Sequence, residues 1–217
     1  MSPREVNFGY LPDEFSNYDD ARVILLPVPY DETSTWVKGA DNGPEAILDA
    51  SVNLEMYDIE TGVEAYRIGI CTDRPLETHE APADMVDDVR HRVADYLTDG
   101  KFTVVLGGEH SVSIGSIRAH AKVCENMTVL QLDAHSDLRP EYLGTKYNHA
   151  CVMARAREVA PIVQVGIRSM DVIERQFLVP ENVFYARDIV GRTDWIDRVV
   201  SRCTENVYVT IDLDVFD

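Results

Sequence analysis

The sequence is poor in lysine and has no long apolar run. Only four of its 217 residues are lysine, while 38 are acidic, and the formal net charge is −18. Because nucleic-acid backbones are bound through clustered cationic side chains, this charge argues against a nucleic-acid partner. No apolar stretch reaches the ~18 residues that span a membrane, and the N-terminal segment lacks the apolar region of a signal peptide. We therefore expect a cytoplasmic protein with no membrane partner.

Cysteine is also scarce, and its spacing is uninformative. Cys71, Cys124, Cys151 and Cys203 are far apart and form no CxxC pair. This pattern excludes a disulfide framework and a cysteine zinc site, and it favours reduced thiols in the cytosol.

The excess of acidic residues has two interpretations. A negative field attracts a small cationic substrate. The alternative is a solvated acidic surface suited to a salt-rich cytoplasm, which requires no ligand at all.

Short β-branched runs alternate with longer amphipathic stretches. The runs predict strands at 22–28, 67–70, 102–106, 128–132, 162–165, 183–185 and 207–211. The stretches predict helices at 43–56, 82–98, 111–123, 148–158 and 193–202. Near-continuous apolar strands are typical of parallel sheets covered on both faces. We therefore expect a three-layer α/β/α fold with a mainly parallel sheet, formed by residues 1–217 as a single domain.

Three polar clusters directly follow predicted strands. GGEHS follows Leu106, DAHSD follows Leu132, and DLD follows Ile211. Ligands of open α/β sheets bind beyond the carboxyl ends of the strands, so the three clusters are expected to converge on one site. On extended backbone, residues two apart point to the same side, so Asp133, His135 and Asp137 would aim at one point if the segment stays extended, as would Asp212 and Asp214. The two glycines of GGEHS allow a tight turn toward that point.

The candidate ligands are four carboxylates and two imidazoles: His110, Asp133, His135, Asp137, Asp212 and Asp214. Four crowded carboxylates without partners would repel one another and take up protons. Two divalent cations balance their charge. A ligand set rich in oxygen and free of cysteine favours Mn²⁺ over zinc. Taken singly, GGEHS could be a strand-to-helix turn capped by Ser111, and Asp-x-Asp a helix cap. All three clusters in this order make these alternatives weak.

The clusters resemble the three signatures of the ureohydrolase family of arginases and agmatinases. GG[DE]HS, DAHxD and [ST]xDxDxxDP appear here as GGEHS, DAHSD and TIDLDVFD. The segment 31–47, which contains GADNGPEAI, and the segment 148–153 resemble agmatinase sequences as well. The resemblance therefore covers nearly the whole chain and implies an arginase-like fold, a binuclear metal-dependent C–N hydrolase and a homo-oligomer, either trimer or hexamer.

The resemblance also implies a role for each ligand. One Mn²⁺ would be held by His110, Asp133, Asp137 and Asp212, and the other by Asp133, His135, Asp212 and Asp214. A water ionised between the metals would attack the guanidinium carbon of a small cationic substrate, releasing urea and an amine. Asp137 would pass the proton toward the leaving nitrogen. His149 matches the family's proton-shuttle histidine, although a surface histidine at a helix start is the alternative.

The segment after DAHSD bears on the substrate. Arginases carry an Asn- and Thr/Ser-rich loop there that grips the α-carboxylate, and 138–144 lacks that pattern. Agmatine has no α-carboxylate, so the resemblance favours hydrolysis of agmatine to putrescine, a polyamine precursor. Guanidinobutyrate, guanidinopropionate, arginine and formiminoglutamate remain alternatives.

The chain departs from the family pattern at its C-terminus. It stops at Asp217 inside the third signature, before the expected Pro, the last strand and the downstream Glu that holds the guanidinium. We therefore expect a C-terminally incomplete chain, and an inactive metal-binding relative is one alternative. A metallophosphatase is disfavoured because GDxxD and GNH[DE] segments are absent. A related deacetylase is disfavoured by the agmatinase-like flanks.

Overall fold

The computed structural model describes residues 7–77 and 80–216. The chain folds into two compact units, Met1–Val112 and Ser113–Asp217. Each unit has its own parallel sheet. The expected mainly parallel α/β architecture is therefore present in both units, while the single domain over 1–217 stays a prediction.

The first unit contains a three-stranded sheet in the order β2-β1-β3. Its strands are β1 (Val23–Val28), β2 (Ile70–Thr72) and β3 (Phe102–Gly107), and its helices are α1 (Asp13–Ser16), α2 (Gly43–Ser51) and α3 (Pro82–Thr98). Helix α3 has the predicted bounds, because Pro82 suits a first-turn position and its apolar stripe is buried. Helix α2 ends five residues earlier than the predicted Met56.

The strand predicted at 67–70 overlaps β2 only at Ile70, and the prediction is wrong for its other three residues. Ala65–Ile68 form a 3₁₀-helix, and β2 begins only at Ile70. Gly69 separates the two with a φ of 83°, and a Cβ on it would lie 2.7 Å from the Cα of Ala21. The backbone must therefore turn at this glycine, which the β-branched composition of the run does not reveal.

The second unit contains a four-stranded sheet in the order β6-β5-β4-β7. Its strands are β4 (Met127–Leu132), β5 (Ile162–Ile167), β6 (Val183–Tyr185) and β7 (Asn206–Ile211). Helix α4 (Val112–Val123) begins at the boundary of the units, and α5 (Val152–Ala156), α6 (Ala186–Ile189) and α7 (Ile196–Val200) follow. The helices predicted at 148–158 and 193–202 are therefore shorter than expected, and the first opens with the 3₁₀-turn His149–Cys151.

The second sheet is well packed, and its strands β4 and β7 end next to each other. All six residues of β5 are buried, as expected for a central parallel strand. Val163 and Val165 pack with Phe184 of β6 and Val199 of α7 in one apolar cluster. Strand β4 pairs with β7 in register from Met127↔Asn206 to Leu132↔Ile211. The two strands therefore end side by side, and the polar residues after both emerge together. Within the described ranges, no helix is both long and apolar enough to cross a membrane.

Candidate metal centre

Backbone hydrogen bonds hold two of the predicted ligands at adjacent strand ends. The amide of Asp212 donates to the carbonyl of Leu132 at 2.9 Å, and the amide of Asp133 donates to the carbonyl of Val165 at 3.0 Å. The sheet ladder thus continues one residue past β4 and β7, into the first aspartate of each motif. Asp133 is buried and Asp212 is half-buried, so both side chains are fixed to the rim of the sheet.

Asp133, His135 and Asp214 form a group with metal-binding geometry. One ligand atom from each lies within 4.8 Å of the others. The Nδ1 atom of His135 lies 2.8 Å from Oδ2 of Asp214 and 3.8 Å from Oδ1 of Asp133. Ligands about 2.1 Å from a small divalent ion are at most about 4.2 Å apart, so small side-chain rotations suffice to bring all three onto one cation. Carboxylate and imidazole donors also suit Mn²⁺.

The electrostatics of the group favour positive charge at the same point. The hydrogen bond to Asp214 raises the pKa of His135 to about 9; burial opposes this rise, and the nearby carboxylates of Asp214, Asp137 and Asp133 add to it. For Asp214, burial raises the pKa, but the bonds from His135 and from the amide of Ala134 outweigh burial and leave the pKa lowered. The imidazolium thus supplies the charge that these carboxylates require, as a bound cation would.

The backbone leaves the extended conformation within both motifs, contrary to expectation. Leu213–Phe216 form a 3₁₀-helix, in which the amide of Asp214 donates to Oδ1 of Asp212 at 3.1 Å. Asp137 has a left-handed φ of 51°. The expected alternation of side chains along a straight strand is therefore wrong for Asp214 and for Asp137. Asp214 is instead oriented by the amide of Ala134, which donates to its Oδ1 at 3.0 Å.

The two predicted catalytic residues lie in the segment that follows β4. Asp137 is buried, and its carbonyl accepts from the amide of Ala154 at 3.0 Å. His149 is half-buried and begins the 3₁₀-turn, capped by Asn148, whose Oδ1 accepts from Ala150 at 3.0 Å. The rings of His149 and Tyr142 meet edge to face, with centroids 6.3 Å apart. The catalytic roles of both residues remain predictions.

The GGEHS motif forms a tight turn after β3 in the first unit. Gly108 has a φ of 30°, and a Cβ there would lie 2.5 Å from the carbonyl oxygen of Tyr30. The buried carboxylate of Glu109 accepts from the hydroxyls of Thr33 and Ser111, at 2.9 and 2.7 Å. Burial raises the pKa of Glu109, although these bonds oppose it. His110 is buried at this turn, and its role as a ligand stays a prediction.

Sequence reasoning missed the buried polar residues that surround the DAHSD motif. Gln131 and Gln164 are paired across β4 and β5, and Nε2 of Gln164 donates to Oε1 of Gln131 at 2.6 Å. Nε2 of Gln131 in turn donates to Oδ2 of Asp133 at 2.7 Å. Glu174 is buried and accepts from Ser136. Amides inside apolar strands, and the Asp-x-x-Glu spacing at 171–174, are the signals that could have indicated them.

Parallel sheets with carboxylates and an imidazole at the strand ends are typical of α/β proteins that bind a ligand at that edge. Comparison with known proteins identifies the family of this chain. Residues 21–217 match the sequence model of the Arginase family. The match spans most of the chain, and the chain therefore belongs to the arginase family.

Individual relatives narrow the class. An N(1)-aminopropylagmatine ureohydrolase of Synechocystis sp. is 39% identical over 100% of this chain and 76% of its own length. An agmatinase of Pyrococcus horikoshii is 33% identical over 91% of this chain and 70% of its own. The crystal structure of the agmatine ureohydrolase of Thermoplasma volcanium superposes with a TM-score of 0.83 and 32% identity, covering 93% of this chain and 70% of that one. The chain is thus a ureohydrolase of the agmatinase type, a metal-dependent amidinohydrolase, and the predicted arginase-like fold is confirmed.

Proposed function

We propose that the chain hydrolyses agmatine to putrescine and urea, with two Mn²⁺ ions as cofactor. The observation that carries the proposal is the group of Asp133, His135 and Asp214 at the carboxyl ends of β4 and β7. The names of its relatives support the substrate class, because agmatinases and N(1)-aminopropylagmatine ureohydrolases share the guanidinium group that is cut.

The proposed ligand set follows the three motifs. In this proposal one ion would be held by His110, Asp133, Asp137 and Asp212, and the other by Asp133, His135, Asp212 and Asp214. The four carboxylates balance the charge of two divalent cations, and the two imidazoles complete the set. When bound, the ions supply Lewis acidity that lowers the pKa of a water toward neutrality.

Residues of the chain would transfer protons from the attacking water to the leaving nitrogen. Water oxygen adds to the guanidinium carbon and becomes the oxygen of urea, and the bond from that carbon to the alkyl nitrogen breaks. Both water protons end on the departing nitrogen, which leaves as an ammonium group, and one of them must reach it as the bond breaks. Asp137 is proposed to carry this proton, because its main chain is anchored by Ala154 and its side chain is buried. His149, which is half-buried beside Tyr142, is proposed to exchange protons with solvent.

The contacts of Arg139 favour a substrate without an α-carboxylate. Its guanidinium pairs with Asp171 at 3.1 Å and lies over the ring of Tyr142 at 4.5 Å. This cation is therefore engaged within the protein, and an amino-acid carboxylate would have to compete with Asp171 for it. A diamine-like tail with positive charge makes no such demand. Agmatine has such a tail, whereas arginine and guanidinobutyrate each carry a carboxylate.

N(1)-aminopropylagmatine is the second candidate substrate. Relatives with that name, from Synechocystis sp. and Thermus thermophilus, are 39% and 36% identical to this chain, compared with 33% for the agmatinase of Pyrococcus horikoshii. The two substrates share the guanidinium and differ only in a cationic aminopropyl extension. The same chemistry would release the corresponding triamine.

Urea release is the decisive assay. The Mn²⁺-loaded protein is incubated with agmatine, N(1)-aminopropylagmatine, arginine or guanidinobutyrate, and kcat/KM is compared. Preference for agmatine supports the first proposal, and a tenfold or greater preference for the aminopropyl compound replaces it with the second. His149→Asn should lower kcat, with the exposed His91→Asn as the matched control. Two bound metals without urea from any substrate would indicate an inactive relative.

We also propose a cytoplasmic homo-oligomer, trimer or hexamer, as the family resemblance implies. Sedimentation equilibrium of the purified chain tests the assembly. A monomer at micromolar concentration would contradict it.

A further inference from the structure

The motif DAHSD and the residue after it, Leu138, form the segment 133–138, which we call the ligand loop. Its backbone is unusual at Asp137, which has a φ of 51°. Residues other than glycine rarely adopt a positive φ. Such a conformation persists only when neighbouring contacts determine it. The contacts on either side of Asp137 therefore help to hold its backbone in this conformation.

One buried carboxylate holds both neighbours of Asp137. Oε1 of Glu174 accepts from the hydroxyl of Ser136 and from the amide of Leu138, each at 2.7 Å. Glu174 is 3% exposed, so these bonds do not compete with water. Hydrogen bonds to an ionised carboxylate are shorter and stronger than neutral ones. Glu174 thus grips the ligand loop immediately before and immediately after Asp137.

Glu174 is itself fixed by a capping box. Its Oε2 accepts from the amide of Asp171 at 2.5 Å, and Oδ1 of Asp171 accepts from the amide of Ile173 at 3.1 Å. The other oxygen of Asp171 pairs with Arg139 at 3.1 Å. The capping box therefore contacts the chain at three points between Ser136 and Arg139, and it has little freedom to move alone.

A second buried polar pair holds the beginning of the loop. Nε2 of Gln164 donates to the carbonyl of Ser136 at 2.8 Å. Nε2 of Gln131 donates to Oδ2 of Asp133 at 2.7 Å and to the carbonyl of His135 at 3.1 Å. The glutamines thus act on Asp133, His135 and the carbonyl of Ser136. Glu174 contacts the residues on both sides of Asp137, through the hydroxyl of Ser136 and the amide of Leu138.

We propose that Glu174 is a positioning residue, which sets the geometry of the Asp137 ligand through Ser136 and Leu138 without touching substrate. This inference rests on the proposed function, because it assigns Asp137 to the metal site. Glutamine at 174 would keep the volume of the side chain. It would also replace one of the two carboxylate oxygens with an NH₂ group, which cannot accept from the backbone amides that Glu174 now binds. At least one hydrogen bond of Glu174 would therefore be lost.

The test compares Glu174→Gln with Glu181→Gln in the full chain. Glu181 is also an early residue of a 3₁₀-helix, Pro180–Asn182, but it is exposed. Mn²⁺ affinity is measured from the free-ion EPR signal, at a temperature where circular dichroism shows all variants folded. Loss of a partner that orients a metal ligand typically lowers affinity 10- to 100-fold. We expect a fall of that size for E174Q, a lower kcat with KM little changed, and partial recovery in excess Mn²⁺.

Ser136→Ala is the second variant, because it removes a single bond and is the milder change if E174Q fails to fold. It should weaken Mn²⁺ binding by about 10-fold, the lower end of the same range. Wild-type Mn²⁺ affinity in S136A and in any folded E174Q would overturn the inference, as would absence of Mn²⁺ binding by the unaltered chain. Mn²⁺ binding without urea release, weakened by E174Q, would refute the proposed function and leave the positioning role supported.

Discussion

Gly108 of the GGEHS motif packs against the backbone near the end of β1, so substituting it should lower the stability of the fold by a measurable amount. An ideal Cβ at this position lies 2.5 Å from the carbonyl oxygen of Tyr30, 2.7 Å from that of Val28 and 2.9 Å from the amide nitrogen of Tyr30. All three neighbours are backbone atoms at the end of β1, so none can rotate away. The carbonyl of Tyr30 also accepts from the amide of Glu109 at 2.9 Å. The methyl group of alanine at 108 would therefore clash with the carbonyl oxygen of Tyr30, which accepts the hydrogen bond from Glu109.

The cost of Gly108→Ala has three parts. A side chain in left-handed backbone costs about 1–2 kcal/mol. Forcing a methyl group into a filled space costs about 1–3 kcal/mol. Weakening the bond from Glu109 to Tyr30 costs about 0.5–1.5 kcal/mol. Alanine recovers about 0.4–1 kcal/mol by restricting the unfolded chain. We expect a net loss of about 1.5–6 kcal/mol, centred on about 4 kcal/mol, a large fraction of the roughly 5–15 kcal/mol that stabilises a typical domain.

Gly100→Ala is the matched control. Gly100 has a φ of 70°, and a Cβ there meets no atom within 4 Å. It therefore isolates the backbone cost, about 1 kcal/mol after the unfolded-state gain. Urea unfolding followed by circular dichroism gives both free energies by linear extrapolation. Equal losses for the two variants would refute the steric argument, and a loss below about 1 kcal/mol for G108A would refute the whole estimate.

Three further perturbations test other contacts. For Asp73, burial raises the pKa, but bonds from Tyr96, from the backbone and from Arg92 hold it below its usual range. Asp73→Asn should therefore cost about 1–3 kcal/mol in urea unfolding at pH 7, and the difference should shrink as pH falls from about 4 through the folded-state pKa. Lys101 donates to three backbone carbonyls at 2.7 to 3.1 Å, so Lys101→Met should lower the melting temperature, with a loss of about 1.5–3 kcal/mol. In the proposed ligand set Asp214 binds one ion only, so Asp214→Asn is expected to reduce bound Mn²⁺ from the proposed value of about two per chain toward one by elemental analysis.

The two changes that test stability have controls on the surface. Asp197→Asn on α7 and Lys122→Met at the end of α4 alter exposed residues and should shift stability by less than about 0.5 kcal/mol. A pH-independent deficit in D73N would show that its carboxylate does not contribute through ionisation. Two ions bound to D214N would remove Asp214 from the ligand set.

The parts of the fold that the sequence predicts well are those set by local chemistry. Helix α3 has its predicted bounds, and β6 lies at Val183–Tyr185 as predicted. Asp133 and His135 could be placed at a strand end because an apolar run directly precedes them. Long-range constraints were harder to predict. The turn at Gly69 depends on the close approach of Ala21, and the orientation of Asp214 depends on the amide of Ala134.

The Asp-x-x-Glu spacing at 171–174 indicates a capped turn, but it does not predict that Glu174 contacts the ligand loop. Glu174 lies 38 residues from Ser136 in the chain, and no spacing rule joins them. Gln131 and Gln164 did leave a signal, because each interrupts an otherwise apolar strand and is at most 1% exposed. An unpaired buried amide costs about 1–3 kcal/mol, so two of them are tolerated only if they bond to each other or to a polar group nearby. Two glutamines in adjacent strands near a carboxylate motif therefore imply a polar network beneath that motif, whereas the chain register that aligns them emerges only from the folded sheet.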